Sequence, residues 1–127
     1  MSKIATVYIV DDDASVRKSL ERLIKSFGFN VKTFASAAQF LLADLHQEPC
    51  CLVLNIRMPG VSGLELQDEL NKAGYDIPII FITGHGDNPI GVQVMNNGAV
   101  DFLRKPVEDD DLLAAVNKAI EKSRNIS

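Results

Sequence analysis

The amino-acid sequence alternates five short apolar runs with amphipathic stretches. The runs are rich in β-branched and aromatic residues, and the third and fourth are continuously apolar, as in strands that are covered on both faces. They lie at residues 6–10, 31–34, 52–54, 79–82 and 100–103. Parallel neighbouring strands need crossover connections, and these are right-handed. The alternation therefore predicts an α/β fold, with a five-stranded parallel sheet between helices in (βα)5 order.

Helix start and stop signals support this order. Gly28 follows the first amphipathic stretch, as glycine often does at a helix C-terminus. Ser36 and Ser62 are each followed three residues later by Gln or Glu, which is the spacing of a capping box. Asn88-Pro89 predicts the start of a fourth helix. A fifth helix is predicted from an apolar stripe at Leu112, Leu113, Val116 and Ile120.

Composition and charge narrow the classes of function. The 127 residues suit one domain, and 46% hydrophobic with 24% charged residues is ordinary for a folded chain. The formal net charge of −4 has the wrong sign for a nucleic-acid-binding surface. No apolar run is long enough to span a membrane, and the first residues lack the apolar part of a signal peptide. We expect a cytoplasmic domain that binds neither nucleic acid nor membrane.

The two cysteines, Cys50 and Cys51, are neighbours. Adjacent cysteines rarely form an unstrained disulfide, and no other cysteine or nearby histidine completes a zinc set. We therefore expect two small buried hydrophobic residues in or near a strand, in preference to a redox-active pair.

Three consecutive carboxylates, Asp11, Asp12 and Asp13, follow the first predicted strand. Ligands of parallel α/β sheets bind at the carboxyl ends of the strands. Asp13 can cap the first helix, whereas the repulsion between Asp11 and Asp12 is relieved by a divalent cation. We therefore predict a Mg²⁺ site at Asp11 and Asp12, in preference to a solvated acidic loop.

Polar residues also follow the later strands. Asn55 comes after the third strand, Thr83 ends the fourth, and Lys105 follows the fifth. Each has an ordinary explanation when it is considered alone, such as a turn residue, a β-branched strand residue or a solvated lysine. Together with two carboxylates at one edge of a sheet, they predict a crevice for a metal ion and a phosphate-like anion.

Four motifs carry a family resemblance. They are Val-Asp-Asp-Asp from Val10, Asn-Ile-Arg-Met-Pro-Gly from Asn55, Phe-Ile-Thr-Gly-His-Gly from Phe81 and Phe-Leu-Arg-Lys-Pro from Phe102. Over residues 4–120 the chain resembles the receiver domain of two-component response regulators, and it is most similar to the FixJ-like nitrogen-fixation regulators. The resemblance implies a flavodoxin-like (CheY-like) fold, with residues 1–127 as a single receiver domain and no DNA-binding domain in this chain.

The resemblance also implies a site. In this family a histidine kinase passes a phosphoryl group to an aspartate at the tip of the third strand. By position, Asp11 and Asp12 would hold Mg²⁺, with the backbone carbonyl of Arg57 as a further ligand. Thr83 would bond the phosphoryl group, and Lys105 would neutralise its charge.

Further expectations concern the switch and the partners. The resemblance implies that the rotamer of Phe102 follows Thr83, and that the bond before Pro106 is cis, which is a low-cost state for an X-Pro bond. The implied partners are a sensor histidine kinase and an output domain or second copy, bound through the face of the fourth helix, fifth strand and fifth helix. Transcription would be the output, and the chain itself would not be an enzyme.

The phosphoacceptor position holds Asn55 instead of aspartate. A carboxamide is an uncharged and poor nucleophile, so we predict that the chain cannot be phosphorylated there. Asn55 can still offer its carbonyl oxygen to Mg²⁺, but with one negative charge fewer the metal should bind more weakly. Two origins stay open. Asn55 is either an engineered substitution that traps the unphosphorylated receiver, or the natural residue of a pseudo-receiver that acts through protein–protein contacts.

Two other classes of protein fit the sequence less well than a receiver. An aspartyl phosphatase or phosphotransferase needs a carboxylate nucleophile and a cap over its substrate, and Asn55 and the chain length argue against both. A flavin-binding electron carrier needs a phosphate-binding loop after the first strand, where Asp11, Asp12 and Asp13 would repel the phosphate.

Overall fold

The computed structural model describes residues 4–43, 49–56, 60, 62–84 and 94–126. Within them one parallel sheet has the order β2-β1-β3-β4-β5. Its strands are β1 (Thr6–Val10), β2 (Asn30–Phe34), β3 (Cys50–Asn55), β4 (Ile79–Thr83) and β5 (Asp101–Arg104). The predicted α/β fold with a five-stranded, doubly wound parallel sheet is confirmed.

Helices connect and flank the strands. Their bounds are α1 (Ala14–Ser26), α2 (Ala37–Leu41), α3 (Gly63–Lys72) and α4 (Asp109–Ile126). Residues 94–96 are also helical, whereas the predicted helix start at Asn88-Pro89 lies outside the described residues. No helix in the described part of the chain combines the length and the apolar composition of a membrane span.

The predicted helix caps form where the sequence places them. The Asp13 carboxylate accepts hydrogen bonds from the backbone of Ser15 and Val16. Ser36 and Ser62 each accept one from the backbone N–H three residues later. These short polar side chains satisfy N–H groups that a helix leaves open in its first turn. The caps therefore fix where α1, α2 and α3 begin.

Two hydrophobic clusters cover the two faces of the sheet. Because side chains alternate along a strand, Val7 belongs to one cluster and Tyr8 to the other. Residues of α1 and α4 complete the first cluster, and residues of α2 and α3 complete the second. Cys51 and Cys50 are buried in the first and second cluster respectively, and neither forms a disulfide. The prediction of buried cysteines is confirmed.

Four strands have bounds that differ from the predicted ones. The second begins one residue earlier, at Asn30, and the fourth ends one residue beyond the predicted apolar run, at Thr83. The third was predicted at residues 52–54, and β3 extends from Cys50 to Asn55 because Thr6 pairs with Cys50 and Ile82 pairs with Asn55. The fifth was predicted at 100–103, and β5 begins one residue later, at Asp101. The longer β3 brings Asn55 into the sheet itself.

The strand register aligns the carboxyl ends. Val10 lies beside Leu54, Asn55 beside Ile82, and Thr83 beside Arg104. The residues that follow β1, β3, β4 and β5 therefore emerge along one edge of the sheet, which we call the carboxyl edge.

Candidate functional site

The acidic loop between β1 and α1 separates three carboxylates into different environments. Asp11 is 2% exposed, whereas Asp12 and Asp13 are exposed. Asp11 Oδ1 accepts a hydrogen bond from the backbone N–H of Asp13 at 2.9 Å. The Asp13 carboxylate caps α1. The sequence predicted this capping role for Asp13. Asp11 and Asp12 therefore remain as the acidic pair of the carboxyl edge.

Asn55 lies between the acidic pair. It is the last residue of β3 and is 8% exposed. Its Nδ2 donates to Asp12 Oδ1 at 3.3 Å and to Asp11 Oδ1 at 3.5 Å. These are long contacts, and they place one amide group within reach of both carboxylates. The structure thus brings Asp11, Asp12 and Asn55 together.

Lys105 completes the group from the far side. Its Nζ lies 3.7 Å from Asp11 Oδ2, and its side chain is one-third exposed. Its backbone N–H donates to the carbonyl of Thr83 at 2.8 Å, which ties the residue after β5 to the end of β4. The bond between Lys105 and Pro106 is cis, the isomer that the resemblance led us to expect. The ammonium is therefore held beside the buried carboxylate.

The other predicted site residues occupy nearby strands. Thr83 ends β4 and is buried. Phe102 lies in β5 opposite Phe81 and packs, partly buried, against the cluster that contains Tyr8. Arg57, whose carbonyl was expected to bind the metal, lies outside the described residues. The distances above join Asp11, Asp12, Asn55 and Lys105 into one site, with Thr83 adjacent through the backbone.

Burial dominates the electrostatics of Asp11. Loss of solvent raises the pKa of this carboxyl above its ordinary value. The N–H of Asp13 and the charge of Lys105 lower the pKa, while the negative charges of Asp12 and Asp13 raise it again. The charged form of Asp11 is thus under-compensated by the protein, which is a property of a carboxylate that would gain from a cation.

The donor set is suitable for Mg²⁺. This ion is commonly held by one or two carboxylates and keeps several of its waters. Asp11 and Asp12 supply two carboxylates, and Asn55 carries a neutral oxygen on the same amide that now donates to them. In the described residues, no group of three or more His, Cys, Asp or Glu side chains is gathered around a point that could hold a metal. Two carboxylates and one neutral oxygen form a sparse oxygen donor set, which suits an ion that keeps several of its waters.

Two residues at the site were not predicted from the sequence. Arg17 Nη1 donates to the backbone carbonyl of Asp11 at 2.7 Å. Gly63, at the start of α3, has no room for a Cβ, because that atom would lie 2.6 Å from the backbone carbonyl oxygen of Asn55 and 2.9 Å from Ile56 Cα. The available signals were weak: an arginine one turn into α1, and a glycine directly after the Ser62 cap.

Comparison with known proteins identifies the class. Residues 7–117 match the family model of the response regulator receiver domain. The chain belongs to this family, and the predicted flavodoxin-like, CheY-like fold is confirmed.

Individual relatives lie within the FixJ-like group. The chain is 50% identical over 120 residues to nodulation protein W of Bradyrhizobium diazoefficiens, covering 94% of this chain and 53% of that protein. It is 45% identical over 123 residues to the transcriptional regulatory protein FixJ of Azorhizobium caulinodans, covering 97% and 58%. The crystal structure of FixJ-N superposes with a TM-score of 0.87 at 45% identity, covering 95% and 96%. The chain thus spans about half the length of the curated relatives it matches.

Proposed function

We propose that residues 1–127 form a single receiver domain of a two-component response regulator in which Asn55 occupies the phosphoacceptor position. The observation that supports this proposal is the position of Asn55, at the end of β3 and within 3.5 Å of both carboxylates of the acidic pair. In a receiver, that place belongs to the aspartate that takes the phosphoryl group. The chain is therefore proposed to be non-phosphorylatable at its acceptor position.

The chemistry of the amide is the reason. To form an acyl phosphate, a carboxylate oxygen attacks phosphorus while the donor's leaving group departs with the electrons of its own bond to phosphorus, a P–N bond in a phosphohistidine and a P–O bond in acetyl phosphate. The Asn55 nitrogen lone pair is delocalised into its carbonyl, and its oxygen carries no full negative charge. Neither atom is an effective nucleophile, so the remaining site residues would have no acceptor to serve.

The remaining residues keep the roles of a phosphoryl pocket. Asp11 and Asp12, with the Asn55 carbonyl oxygen and the backbone carbonyl of Arg57, would hold Mg²⁺, which when bound offsets the negative charge of a phosphoryl group. Thr83 would donate its hydroxyl to that group, and Lys105 would pair with its charge. Phe102 is proposed as the aromatic residue whose rotamer follows Thr83.

A second candidate function is favoured by the contact between Asn55 and the acidic pair. Because the amide N–H groups already reach Asp11 and Asp12, the site is internally bridged without phosphate. This arrangement suits a natural pseudo-receiver that responds to protein–protein contacts. An aspartyl-type phosphatase activity has no support from the site, since it needs the carboxylate nucleophile that Asn55 replaces.

The proposed partners are those of a response regulator. They are a sensor histidine kinase and an output domain or second copy. The contact face is that of the predicted fourth helix, of which the structure describes residues 94–96, with β5 and the predicted fifth helix, which is α4. Because the curated relatives are about twice as long as this chain, the transcriptional output is proposed for the whole protein, outside these residues. A cytoplasmic location stays a prediction from the sequence.

The experiment is intact-mass measurement after incubation with acetyl phosphate and Mg²⁺. The unsubstituted chain should gain no phosphoryl group, whereas Asn55→Asp should gain one. Asn71→Asp makes the same chemical change at an exposed position of α3 and should behave like the unsubstituted chain. A phosphoryl group mapped to Asn55 of the unsubstituted chain would contradict the proposal. If Asn55→Asp stays unmodified, the pocket has lost more than its acceptor, and the pseudo-receiver is supported instead.

A further inference from the structure

Arg17 holds the main chain of the acidic loop. Four residues into α1, its guanidinium donates through Nη1 to the carbonyl of Asp11 at 2.7 Å, in a partly buried contact. Its own backbone N–H donates to the carbonyl of Asp13 at 3.0 Å, so both ends of the loop meet this residue. A guanidinium is permanently charged and presents its donors in a rigid fork. The acidic loop is therefore fixed to α1 by a directional hydrogen bond from Arg17.

The carbonyl that Arg17 holds belongs to the peptide group joining Asp11 to Asp12. A peptide group is planar, so fixing its oxygen fixes the direction in which the chain continues to Asp12. Asp11 has other restraints, including the N–H of Asp13 on its carboxylate. Asp12 is exposed, and Asn55 Nδ2 reaches its carboxylate at 3.3 Å. The orientation of the Asp12 side chain thus depends on how this peptide plane is fixed.

We propose that Arg17 is a positioning residue of the acidic pair, which directs the Asp12 carboxylate toward Asn55 and toward a cation held by Asp11 and Asp12. This inference rests on the proposed function, because the cation is part of that proposal. The direction in which Mg²⁺ affinity changes when Arg17 is replaced tests this proposal. Arg17 is itself a cation near the site, so by charge alone its removal would tighten Mg²⁺ binding. If Arg17 positions the loop, its removal weakens Mg²⁺ binding.

The first measurement is the dissociation constant for Mg²⁺, obtained from the shifts of backbone amide signals in an NMR titration. Arg17→Gln and Lys18→Gln are compared in the native chain and in the Asn55→Asp background. Lys18 is the exposed neighbour on α1, and its variant removes the same charge. We expect about tenfold weaker binding for Arg17→Gln, the usual effect of losing a support of a ligand, and none for Lys18→Gln. Arg17→Lys should bind with intermediate affinity, because an ammonium can still donate to the carbonyl.

The second measurement needs no metal. Hydrogen exchange of the Asp13 amide reports the hydrogen bond from this N–H to Asp11 Oδ1, which closes the loop. Arg17→Gln should speed this exchange severalfold, Arg17→Lys should speed it less, and Lys18→Gln should leave it unchanged. Thermal unfolding followed by circular dichroism checks that the variants fold. If Arg17→Gln does not fold, Arg17→Lys is compared with the unsubstituted chain in both measurements, and that comparison tests the positioning role.

The outcomes separate this inference from the proposed function. Unchanged or tighter Mg²⁺ binding by Arg17→Gln, relative to Lys18→Gln, overturns the positioning role. If no variant binds Mg²⁺, the metal part of the proposed function fails, and the exchange of the Asp13 amide decides for Arg17. Exchange that is equal in Arg17→Gln and Lys18→Gln then overturns the inference.

Discussion

Lys105 Nζ lies 3.7 Å from Asp11 Oδ2, although the two residues follow strands that are separated by two others in the sheet. This ammonium is the positive member of a pair whose carboxylate is buried. Its charge lowers the pKa of Asp11, but desolvation outweighs it and the pKa remains above its ordinary value. Burial of the ionised form of Asp11 therefore opposes folding.

The first prediction concerns pH and Asp11. Because folding raises the pKa of Asp11, its contribution to stability is fully present below the ordinary pKa and is lost as pH rises through the folded-state value. Without Mg²⁺, Asp11→Asn should therefore gain stability relative to the native chain as pH rises through this range. Urea unfolding at a series of pH values measures the difference, with Asp76→Asn as the exposed control. A difference that moves against Asp11→Asn with rising pH would contradict the burial argument.

The second prediction concerns Mg²⁺ and Asn55. At about 4 Å, one added unit charge is worth about 1 kcal/mol in water and about 4 kcal/mol when partly buried. Asn55→Asp should therefore bind Mg²⁺ about tenfold more tightly or better in a calorimetric titration. It also replaces an amide donor by a third carboxylate, so its melting temperature without Mg²⁺ should fall and should recover when Mg²⁺ is added. Equal affinities of the two proteins would place Asn55 outside the cation site.

The third prediction concerns the contact between α3 and β3. A Cβ on Gly63 would lie 2.6 Å from the Asn55 carbonyl oxygen, which is backbone and has little freedom to move. Gly63→Ala should lower the free energy of unfolding by about 1–3 kcal/mol, as overpacking does. Gly84→Ala is the matched control, because a Cβ there meets none of the described residues within 4 Å. Equal urea midpoints for the two variants would show that this close approach does not constrain the site.

The fourth prediction concerns the cysteines. Both thiols are buried, and burial raises the pKa of Cys51, so little of it is thiolate at neutral pH. In the native chain, iodoacetamide should leave both residues unmodified over a time in which urea-unfolded protein is alkylated twice. Mass spectrometry counts the added groups. Rapid alkylation of Cys51 in the folded protein would contradict its placement in the core.

Several elements could be predicted from the sequence because their causes are local. The β-branched run of β1 and the side-chain caps of Asp13, Ser36 and Ser62 act over a few residues, and each forms where the pattern indicates. The meeting of residues at the carboxyl edge could also be predicted, since all strands of a parallel sheet end on the same side. These are consequences of chain direction and short-range hydrogen bonding.

Other features depend on tertiary contacts and could not be predicted. The ends of β3 are set by pairing with β1 and β4, which recruits Cys50 and Asn55 into the strand. The hydrogen bond from Arg17 depends on the path of the loop that it holds, and the demand for glycine at position 63 depends on how closely α3 approaches β3. In each case the cause is a distance between segments, which residue type and spacing do not specify.

We propose position 55 as the phosphoacceptor position of a pocket made by Asp11, Asp12 and Lys105. The most direct measurement is borohydride trapping of the phosphorylated Asn55→Asp variant, because this reagent reduces an acyl phosphate to an alcohol that peptide mass mapping can locate. We expect the reduced residue at position 55 alone. Trapping at Asp11 or Asp12, with position 55 unmodified, would contradict it.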